Sequence, residues 1–267
     1  MITYFEIGKL LAEAGGQYGE KIIDEYSEKL VVEVGKKYNR RTLFRMKQFY
    51  NMFKDEKVSP LATQLTWSHY SELLSIKDYS KLMYYINTAI NNNLSKRELR
   101  EKIKSNEYER IPQKTKNRLI DNETVEVKDL VPNPILIRNN NDLEIISEKA
   151  LHNLVLENIE RFLKELGSTF CFIGSEYKIK IGDTYHYIDL LLYNIKYNCY
   201  VVVELKVTKF KVEYISQVQK YMNFIDKNIK EENHSNTIGI IICKKENNFV
   251  IEYCSDERIA IREYLII

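Results

Sequence analysis

Cysteine and histidine are scarce and scattered in this chain of 267 residues. Its four cysteines and four histidines occur singly, and no two cysteines form a C-x-x-C pair. A structural zinc site needs several such ligands at short spacing, and a disulfide framework needs cysteines that pair in an oxidising compartment. We therefore expect neither a zinc site nor disulfides, and the pattern favours a reducing cytoplasm.

Long apolar runs are also missing. No stretch approaches the roughly 20 apolar residues of a membrane-spanning helix. The first six residues lack the basic and then apolar order of a signal peptide. Yet 44% of the residues are hydrophobic and 12% are aromatic, which is enough to build folded cores. The sequence thus predicts a folded cytoplasmic protein with no membrane partner.

Charge is unevenly distributed, although the net charge is only +2. Residues 1–122 contain 22 Lys/Arg and 16 Asp/Glu, whereas residues 123–267 contain 18 Lys/Arg and 22 Asp/Glu. A basic half followed by an acidic half is typical of a polyanion-binding module joined to a metal-using one. Ordinary variation in surface charge is the alternative interpretation.

The first ~105 residues have a helical pattern, because apolar residues recur every three or four positions. Asn39 and Ser95 each stand where a helix N-cap is expected. Prolines and asparagines interrupt the pattern after residue 107. We predict a small all-helical domain over residues 1–125 and a linker or irregular connection over residues 126–145, with Val125–Leu136 against a domain surface as the alternative.

Residues 146–267 alternate between helix and strand, which predicts an α/β domain with a mixed sheet. The first helix should end at Gly167, and Gly182-Asp183 is typical of a hairpin turn. The predicted elements are a helix over Leu151–Leu166, strands over Tyr177–Ile181, Tyr185–Tyr193 and Tyr200–Val207, a helix over Val212–Ile225, and strands over Thr237–Cys243, Phe249–Cys254 and Ile259–Leu265.

Three charged residues interrupt these apolar strands. Glu204 and Lys206 project from one strand face because strand side chains alternate. The strand that carries Asp189 can turn and pair so that Asp189 meets Glu204. Two carboxylates beside the Leu205 carbonyl form an oxygen-rich pocket suited to Mg²⁺ or Mn²⁺. Lys206 can then orient or deprotonate a water, or neutralise transition-state charge. A Glu–Lys salt bridge with an unrelated Asp189 is the alternative.

The set Asp189…Glu204-Leu205-Lys206 resembles the signature of the PD-(D/E)XK nucleases. Its surroundings resemble the YhcG-like bacterial nucleases, which have a helical N-terminal domain. The similar stretches are Arg45-Met-Lys-Gln-Phe-Tyr50, Gln64-Leu-Thr-Trp-Ser-His-Tyr70, Arg97-Glu-Leu99, Phe162-Leu-Lys-Glu-Leu-Gly167, Tyr187-Ile-Asp-Leu-Leu191, Val203-Glu-Leu-Lys206, Lys209-Phe210 and Thr237-Ile-Gly-Ile-Ile-Ile-Cys243. The resemblance implies a restriction-endonuclease-like core and metal-dependent cleavage of nucleic acid, with Asp189, Glu204 and Lys206 in the active site.

The same resemblance implies a further polar active-site residue at Gln217, on the helix that follows Lys206. Gln217 shares a helix face with Tyr214 and Tyr221, because the three are spaced at i, i+3 and i+7. A row of functional side chains is thus geometrically possible. A solvated helix flank is the alternative.

The chain departs from the family pattern at two positions. His152 stands where the family often has a glutamate on its first helix. Either Glu148 or Glu157 substitutes for it, or the site is short of one metal ligand. Glu176 stands where a glutamine is common. Both departures leave the Asp-Glu-Lys set intact but put a second metal ion in doubt. His186, next to this set in sequence, is expected on the face opposite Tyr187 and is not expected to bind metal.

A basic segment stands out in the N-terminal half. No acidic residue occurs between Val34 and Lys54, and aromatic residues are interleaved with the basic ones. This pattern predicts a helix that contacts a phosphate backbone, and a solvated or oligomer-forming face is the alternative. The candidate nucleic-acid-binding residues are Lys36, Lys37, Arg40, Arg41, Arg45 and Lys47. Trp67, Ser68, His69 and Tyr70 could form a recognition cluster, but a core position for Trp67 and a local helix-start hydrogen bond for His69 are the favoured interpretations.

Together these features predict a Mg²⁺-dependent nuclease that acts on DNA, as an endonuclease in defence against foreign DNA or in recombination and repair. A homodimer is expected if both strands are cut, and a separate protein is a candidate for targeting. The main alternative is a nucleic-acid-binding or scaffold protein that keeps the fold without cleavage, which His152 favours. RNA as the substrate ranks last, because no aromatic RNA-binding motif is visible.

Overall fold

The computed structural model describes residues 2–18, 21–54, 64–120, 126–139, 146–246 and 256–267. The chain forms two compact units, Met1–Tyr108 and Glu109–Ile267, and the short helix α7 (Glu107–Arg110) contains the division. The division lies earlier than the expected domain end at residue 125. The reason is that the residues after 108 are tied to the C-terminal sheet, as described below.

The N-terminal unit is helical, as predicted. Its described residues also include a 3₁₀ turn at Lys36–Tyr38, just before the basic helix. Its helices are α1 (Ile2–Tyr18), α2 (Lys21–Glu33), α3 (Arg40–Phe53), α4 (Trp67–Leu73), α5 (Tyr79–Asn91) and α6 (Lys96–Lys104).

An aromatic cluster forms the core of this unit. The ring of Phe49 on α3 lies 4.8 Å from that of Tyr70 and 5.1 Å from that of Phe53, centroid to centroid. Trp67 packs edge-on against Phe49 and stacks on Tyr4 at 4.7 Å. Aromatic pairs at these distances stabilise a core beyond the area that they bury. The favoured core interpretation of Trp67 is therefore confirmed.

The helix starts follow the sequence signals. The Asn39 side chain accepts a hydrogen bond from the Thr42 N–H. At the start of α6 the Ser95 hydroxyl accepts from the Glu98 N–H, and the Glu98 carboxylate accepts from the Ser95 N–H. His69 lies in the capping box of α4 with Thr66, and its Nε2 is 3.0 Å from the Leu94 carbonyl oxygen. These bonds satisfy N–H groups that have no partner inside a helix. His69 thus has the local structural role that was favoured for it.

The C-terminal unit contains a six-stranded mixed sheet with the strand order β1-β6-β5-β4-β3-β2. Strands β2, β3 and β4 are antiparallel, and β4, β5, β6 and β1 are parallel. The elements are α8 (Gln113–Ile120), α9 (Val127–Leu130), β1 (Ile135–Ile137), α10 (Glu148–Glu157), α11 (Ile159–Leu166), β2 (Phe170–Ile181), β3 (Thr184–Asn194), β4 (Cys199–Lys209), α12 (Val212–Asn228), β5 (Ile238–Lys245) and β6 (Ile259–Ile266). The predicted α/β class with a mixed sheet behind a helical domain is confirmed.

Helices cover both faces of the sheet. Helices α10 and α11 pack on the face that carries Val203 and Leu205, whereas α12 packs on the face that carries Val202. Strand β4 is buried on both faces, as its Val-Val-Val start predicted. The central strand therefore carries its polar residues inside the protein.

Two sequence predictions in this unit need correction, and a third lies outside the described residues. The single helix expected over Leu151–Leu166 breaks at Asn158 into α10 and α11, because Asn158 leaves the helical conformation at φ −125° and ψ 36°. The expected linker over 126–145 contributes α9 and β1, which is paired with β6. The strand expected over Phe249–Cys254 falls among residues that the structure does not describe.

Polar side chains connect the segment around β1 to the sheet and to α11. Arg110 forms a nearly buried ion pair with Glu165 on α11 and donates to the Pro134 carbonyl at 2.8 Å. Asn133 accepts from the Glu263 N–H on β6 and donates to Glu246. A buried ion pair becomes strongly destabilising when one partner is removed, because the other charge is left uncompensated. Residues 109–120 and 126–137 thus belong to the C-terminal unit.

Within the described residues, no helix combines the length and the apolar character that crossing a membrane would require.

Candidate active site

The candidate site lies where strands β3 and β4 separate. The last regular pair joins Leu190 to Val203, and Asp189 and Glu204 are the next residues of each strand beyond that pair. Here the Leu205 N–H donates to Asp189 Oδ2 at 2.7 Å, and the Asp189 N–H lies 3.4 Å from Glu204 Oε1. The two carboxylates therefore accept the main-chain N–H groups that the ladder leaves free. Asp189 and Glu204 meet at one point, as their spacing predicted.

Glu204 is the most enclosed member of the site, with an exposed fraction of 1%. Its Oε2 accepts from Lys206 Nζ at 3.0 Å and from Gln217 Nε2 at 2.9 Å. Lys206 and Glu204 lie on the same face of β4, and Gln217 reaches them from α12. The structure thus brings all four candidate residues, Asp189, Glu204, Lys206 and Gln217, into one cluster.

Burial and mutual repulsion perturb the titration of both carboxyl groups. Burial, followed by the charge of Asp189, raises the pKa of Glu204 to about 7. Burial also raises the pKa of Asp189, although the Leu205 N–H and the Lys206 charge oppose the shift. Burial alone would lower the pKa of Lys206, but Glu204 and the other nearby carboxylates outweigh it, so that this pKa is raised. Two carboxylates thus share one ammonium, and the cluster is short of positive charge.

Two tyrosines of α12 flank Gln217. Its Nε2 donates to the Tyr221 hydroxyl at 3.2 Å, and the Tyr214 ring centroid lies 5.4 Å from Lys206 Nζ. The Tyr214 hydroxyl is 2.7 Å from Thr208 Oγ1. Both tyrosines are buried and Gln217 is half-buried. This row of side chains therefore faces the site, and the solvated-flank alternative is wrong.

Helix α10 approaches the site from the other face of the sheet. His152 Nε2 lies 3.2 Å from the main-chain carbonyl oxygen of Asp189. Glu148, in the first turn of α10, is exposed but close enough to raise the pKa of both Asp189 and Lys206. The structure thus puts His152 against the main chain of a carboxylate residue. No sequence signal indicated this contact, apart from the departure from the family pattern at position 152.

Strand β2 is irregular beside the site. Glu176, which lies across from Asp189 in the β2–β3 register, has a φ of 46°. That left-handed conformation is unfavourable for a residue with a side chain and costs roughly 1–3 kcal/mol. Such strain tends to persist at functional positions. Here it marks the place where β3 presents Asp189.

His186 lies away from the carboxylates. Its ring packs 6.1 Å from the Tyr221 ring, and its Nδ1 is 3.5 Å from Lys220 Nζ. Tyr187 points to the opposite face and is exposed. His186 thus lies on the α12 side of the hairpin, opposite Tyr187, as expected.

The basic segment of the N-terminal unit surrounds the start of α3. Arg40 pairs with Asp24 at 2.5 Å and lies 5.4 Å over the Phe44 ring, which partly neutralises this arginine. The remaining basic residues form no ion pair with any described carboxylate. Of the six candidates, Lys36, Lys37, Arg40 and Arg41 are exposed, and Arg45 and Lys47 are half-buried.

The donor chemistry of the cluster fits a hard divalent cation. Asp189 and Glu204 offer carboxylate oxygens, and such ligands suit Mg²⁺ and Mn²⁺. In the part of the chain that the structure describes, no three His, Cys, Asp or Glu side chains converge as a metal site. A metal here would therefore rest on two carboxylates, with main-chain oxygen and water completing the set. The deficit of positive charge is the observation that favours it.

Two family models match the chain. The model described as the YhcG PDDEXK nuclease domain matches residues 133–267, and the DUF1016 N-terminal domain model matches residues 1–110. An Escherichia coli (strain K12) protein named "Putative nuclease YhcG" is 24% identical over an alignment of 287 residues, which covers 91% of this chain and 76% of that protein. The suggested family resemblance is thereby confirmed.

Two solved structures are more remotely similar. A repair endonuclease from Pyrococcus abyssi is 23% identical with a TM-score of 0.32, over 46% of this chain and 48% of its own. A structure titled EndoMS-dsDNA2 complex is 19% identical with a TM-score of 0.32, over 48% of each chain. The match thus spans less than half the length of either solved chain.

Proposed function

The chain belongs to the YhcG family of PDDEXK nucleases, and we propose that it is a Mg²⁺- or Mn²⁺-dependent endonuclease that hydrolyses DNA phosphodiester bonds. The observation that carries this proposal is the buried cluster of Asp189, Glu204 and Lys206, in which two carboxylates share a single ammonium. Buried charge of this kind is costly on an apolar strand. Binding of a metal ion, which would balance the charge of the two carboxylates, is the function that best explains why this costly charge is kept.

We assign metal binding to Asp189 and Glu204. A divalent ion bound there supplies Lewis acidity to a phosphodiester and lowers the pKa of a water. Lys206, held by Glu204 at 3.0 Å, is a cation that donates hydrogen bonds to the attacking water or to the phosphoryl oxygens as negative charge develops. Gln217 fixes the Glu204 carboxylate by donating to Oε2 at 2.9 Å and is a weaker fourth member of the site.

We assign contact with the DNA backbone to the basic segment of the N-terminal unit. Exposed lysine and arginine side chains at a helix start can neutralise phosphates and release counterions. The residues are Lys36, Lys37, Arg40, Arg41, Arg45 and Lys47. Their combined substitution by alanine should weaken DNA binding and flatten its salt dependence without affecting the metal site. Unchanged salt dependence would instead indicate a solvated or oligomer-forming face.

The proposed biological role is cleavage of foreign DNA or of intermediates in recombination and repair, in the cytoplasm. Cutting both strands takes two active sites, so we propose a homodimer, with targeting by a further protein as an additional component. Sedimentation of the full chain with and without DNA tests the assembly. A monomer that only nicks DNA would contradict the dimer and leave the catalytic proposal intact.

The test is cleavage of supercoiled and linear DNA, and of RNA, with Mg²⁺ or Mn²⁺. Wild type is compared with Glu204→Ala and with the control Glu213→Ala, which removes an exposed carboxylate of α12. Nicking or linearisation that requires metal and disappears only in Glu204→Ala is expected. If wild type binds DNA but leaves it intact with either metal, a catalytically silent binding protein is the better interpretation. The histidine at position 152, in place of a glutamate, would then be the first candidate cause of the lost activity.

A further inference from the structure

The hairpin formed by β2 and β3 carries two lysines and two tyrosines on one of its faces. Lys178 pairs across the strands with Tyr187, and Lys180 pairs with Tyr185, so that the four residues form a rectangle. The opposite face of the hairpin, with Ile179 and Ile188, is buried beneath α12. We call these four residues the hairpin rectangle. It faces away from α12.

The aromatic side chains of the hairpin rectangle are about half exposed. Tyr185 is 52% exposed and Tyr187 is 53% exposed. Lys178 Nζ lies 3.9 Å from the Tyr185 ring centroid, and Lys180 Nζ lies 5.8 Å from it. These tyrosines are not members of the buried core clusters, and no carboxylate in the described part of the chain pairs with the lysines.

The acidic residues of the hairpin lie outside the hairpin rectangle. Glu176 and Asp189 stand where the hairpin joins the site, and Asp183 stands in the turn. Between them the exposed face offers only ammonium groups and aromatic rings. A polyanion with flat apolar groups is the partner whose chemistry fits this face. Unpaired nucleic acid has both features, because its bases are free to stack on aromatic side chains.

The hairpin rectangle also leads directly to the candidate catalytic site. Tyr187 precedes Asp189 by two residues on the same strand, which corresponds to about 7 Å along β3. Glu204, Lys206 and Gln217 lie on the α12 side of the sheet, whereas the rectangle lies on the other side, from which His152 contacts the Asp189 carbonyl oxygen. A strand of nucleic acid on the rectangle would therefore approach Asp189 from the His152 side, over about one or two nucleotides. The distance makes the rectangle a substrate-positioning surface and not a remote patch.

We propose that the hairpin rectangle binds an unpaired DNA strand next to the scissile bond, with bases on Tyr185 and Tyr187 and phosphates on Lys178 and Lys180. This inference rests on the proposed nuclease function and names its substrate class, which is DNA with a single-stranded segment, such as a flap or a branch. In a plain duplex the bases are stacked on one another, so the tyrosines would have nothing to bind.

The decisive experiment measures binding in EDTA, where cleavage cannot occur. Fluorescence anisotropy with labelled oligo-dT and with a duplex of equal length compares wild type with three variants. Tyr187→Ala should weaken oligo-dT binding about tenfold and leave duplex binding unchanged, because a stacked base is lost. Tyr187→Phe should retain wild-type affinity. Lys178→Ala combined with Lys180→Ala should lower the salt dependence of log K by about 0.7 for each phosphate that the lysines no longer neutralise.

A matched control is available at the other end of β3. Lys196 lies over the Tyr197 ring at 5.3 Å in a similar lysine–tyrosine arrangement, and Lys196→Ala should leave oligo-dT binding unchanged. Thermal unfolding checks that every variant is folded. Equal losses for duplex and oligo-dT, or no loss in the Tyr187 and lysine variants, would overturn the proposal.

The outcome separates this inference from the proposed function. If Mg²⁺ supports cleavage but the hairpin variants bind oligo-dT normally, the nuclease proposal stands and the hairpin proposal fails. If the variants lose oligo-dT binding but wild type cleaves no DNA, the binding surface is real and the nuclease proposal fails. With cleavage present, Tyr187→Ala should slow cutting of a flapped duplex by about tenfold more than cutting of a plain duplex.

Discussion

Lys206 Nζ lies 3.0 Å from Glu204 Oε2, so the cation proposed for catalysis is held by a carboxylate proposed to bind metal. Both side chains are nearly excluded from solvent. In the metal-free chain the ammonium therefore supplies part of the positive charge that the two carboxylates require. The relationship predicts that protons, metal and Lys206 compete for the same oxygen atoms.

The first prediction concerns stability against pH in EDTA. The pKa of Glu204 is raised from 4.5 to about 7 on folding. Its contribution to stability is therefore fully present below pH 4.5 and is lost as the pH rises through about 7. Relative to Glu204→Gln, wild type should lose about 3 kcal/mol of unfolding free energy across this window. Urea unfolding at about pH 4.5 and about pH 8 measures it, and parallel profiles for the two proteins would contradict it.

The second prediction separates catalysis from metal binding. Lys206→Met should lower the cleavage rate by roughly 100-fold or more, because a donor to developing negative charge is lost. Mn²⁺ affinity should stay the same or increase, since the competitor for Glu204 is gone. Calorimetric titration with Mn²⁺ gives the comparison, with Glu204→Gln as the variant that loses affinity. A similar loss in Lys206→Met would show that Lys206 helps to build the metal site.

The third prediction concerns Gln217 as a positioning residue. Removing its hydrogen bond to Glu204 by Gln217→Ala should lower metal affinity or cleavage about tenfold, as is typical of groups that orient metal ligands. Gln217→Glu should be worse, because it adds a like charge beside Glu204. Gln219 offers a control on the same helix, since it donates to Asp256 instead. Equal effects of Gln217→Ala and Gln219→Ala would indicate a general loss of helix packing.

The fourth prediction concerns the strained position on β2. Glu176 has a φ of 46°, which glycine adopts freely and a β-branched residue resists. Glu176→Val should destabilise the protein by about 1–2 kcal/mol, and Glu176→Gly should not. Lys178→Val, in regular strand, should change stability by less than about 0.5 kcal/mol. Chemical unfolding of the three variants is sufficient, and a harmless Glu176→Val would show that the backbone there is not constrained.

The fifth prediction concerns the true start of the C-terminal unit. A fragment of residues 109–267 should unfold cooperatively, whereas a fragment of residues 146–267 lacks Arg110 and β1 and leaves Glu165 without its partner. Loss of one member of a buried ion pair costs roughly 3–5 kcal/mol. In the longer fragment, Arg110→Met should therefore lower the melting temperature by about 10 °C. Equal melting of the two fragments would restore the boundary near residue 146.

Local signals in the sequence were sufficient for most of the site. Asp189 and Glu204 converge because alternation and strand length determine where their side chains point. The caps at Asn39 and Ser95 were predictable because each cap depends only on a few neighbouring residues. Gln217 could be placed on the correct helix face by its spacing, but its bond to Glu204 depends on how α12 packs against β4.

Features that depend on distant partners were not predictable. The apolar helical pattern continues through Asn158, yet the helix breaks at this residue. No proline or other helix-breaking residue nearby predicts the break. Strand β1 has three residues and is stable only because β6 lies beside it. Arg110 and Glu165 are far apart in sequence, so neither could identify the other. The position of Glu176 in the left-handed region likewise follows from the sheet and not from its own preference.

The acceptor role of Asp189 has a consequence for how such a chain can change over generations. Its carboxylate receives the Leu205 N–H at 2.7 Å, a task that an asparagine oxygen performs equally well. A glutamine at position 204 has only one oxygen, so it could keep the bonds from Lys206 and Gln217 but not the bond from the Asp189 N–H as well. Replacement of Asp189 by asparagine would therefore leave the strand junction intact, whereas glutamine at position 204 would lose one of its bonds. Descendants that have abandoned cleavage are expected to carry Asn at position 189 more readily than Gln at position 204, and to remain folded.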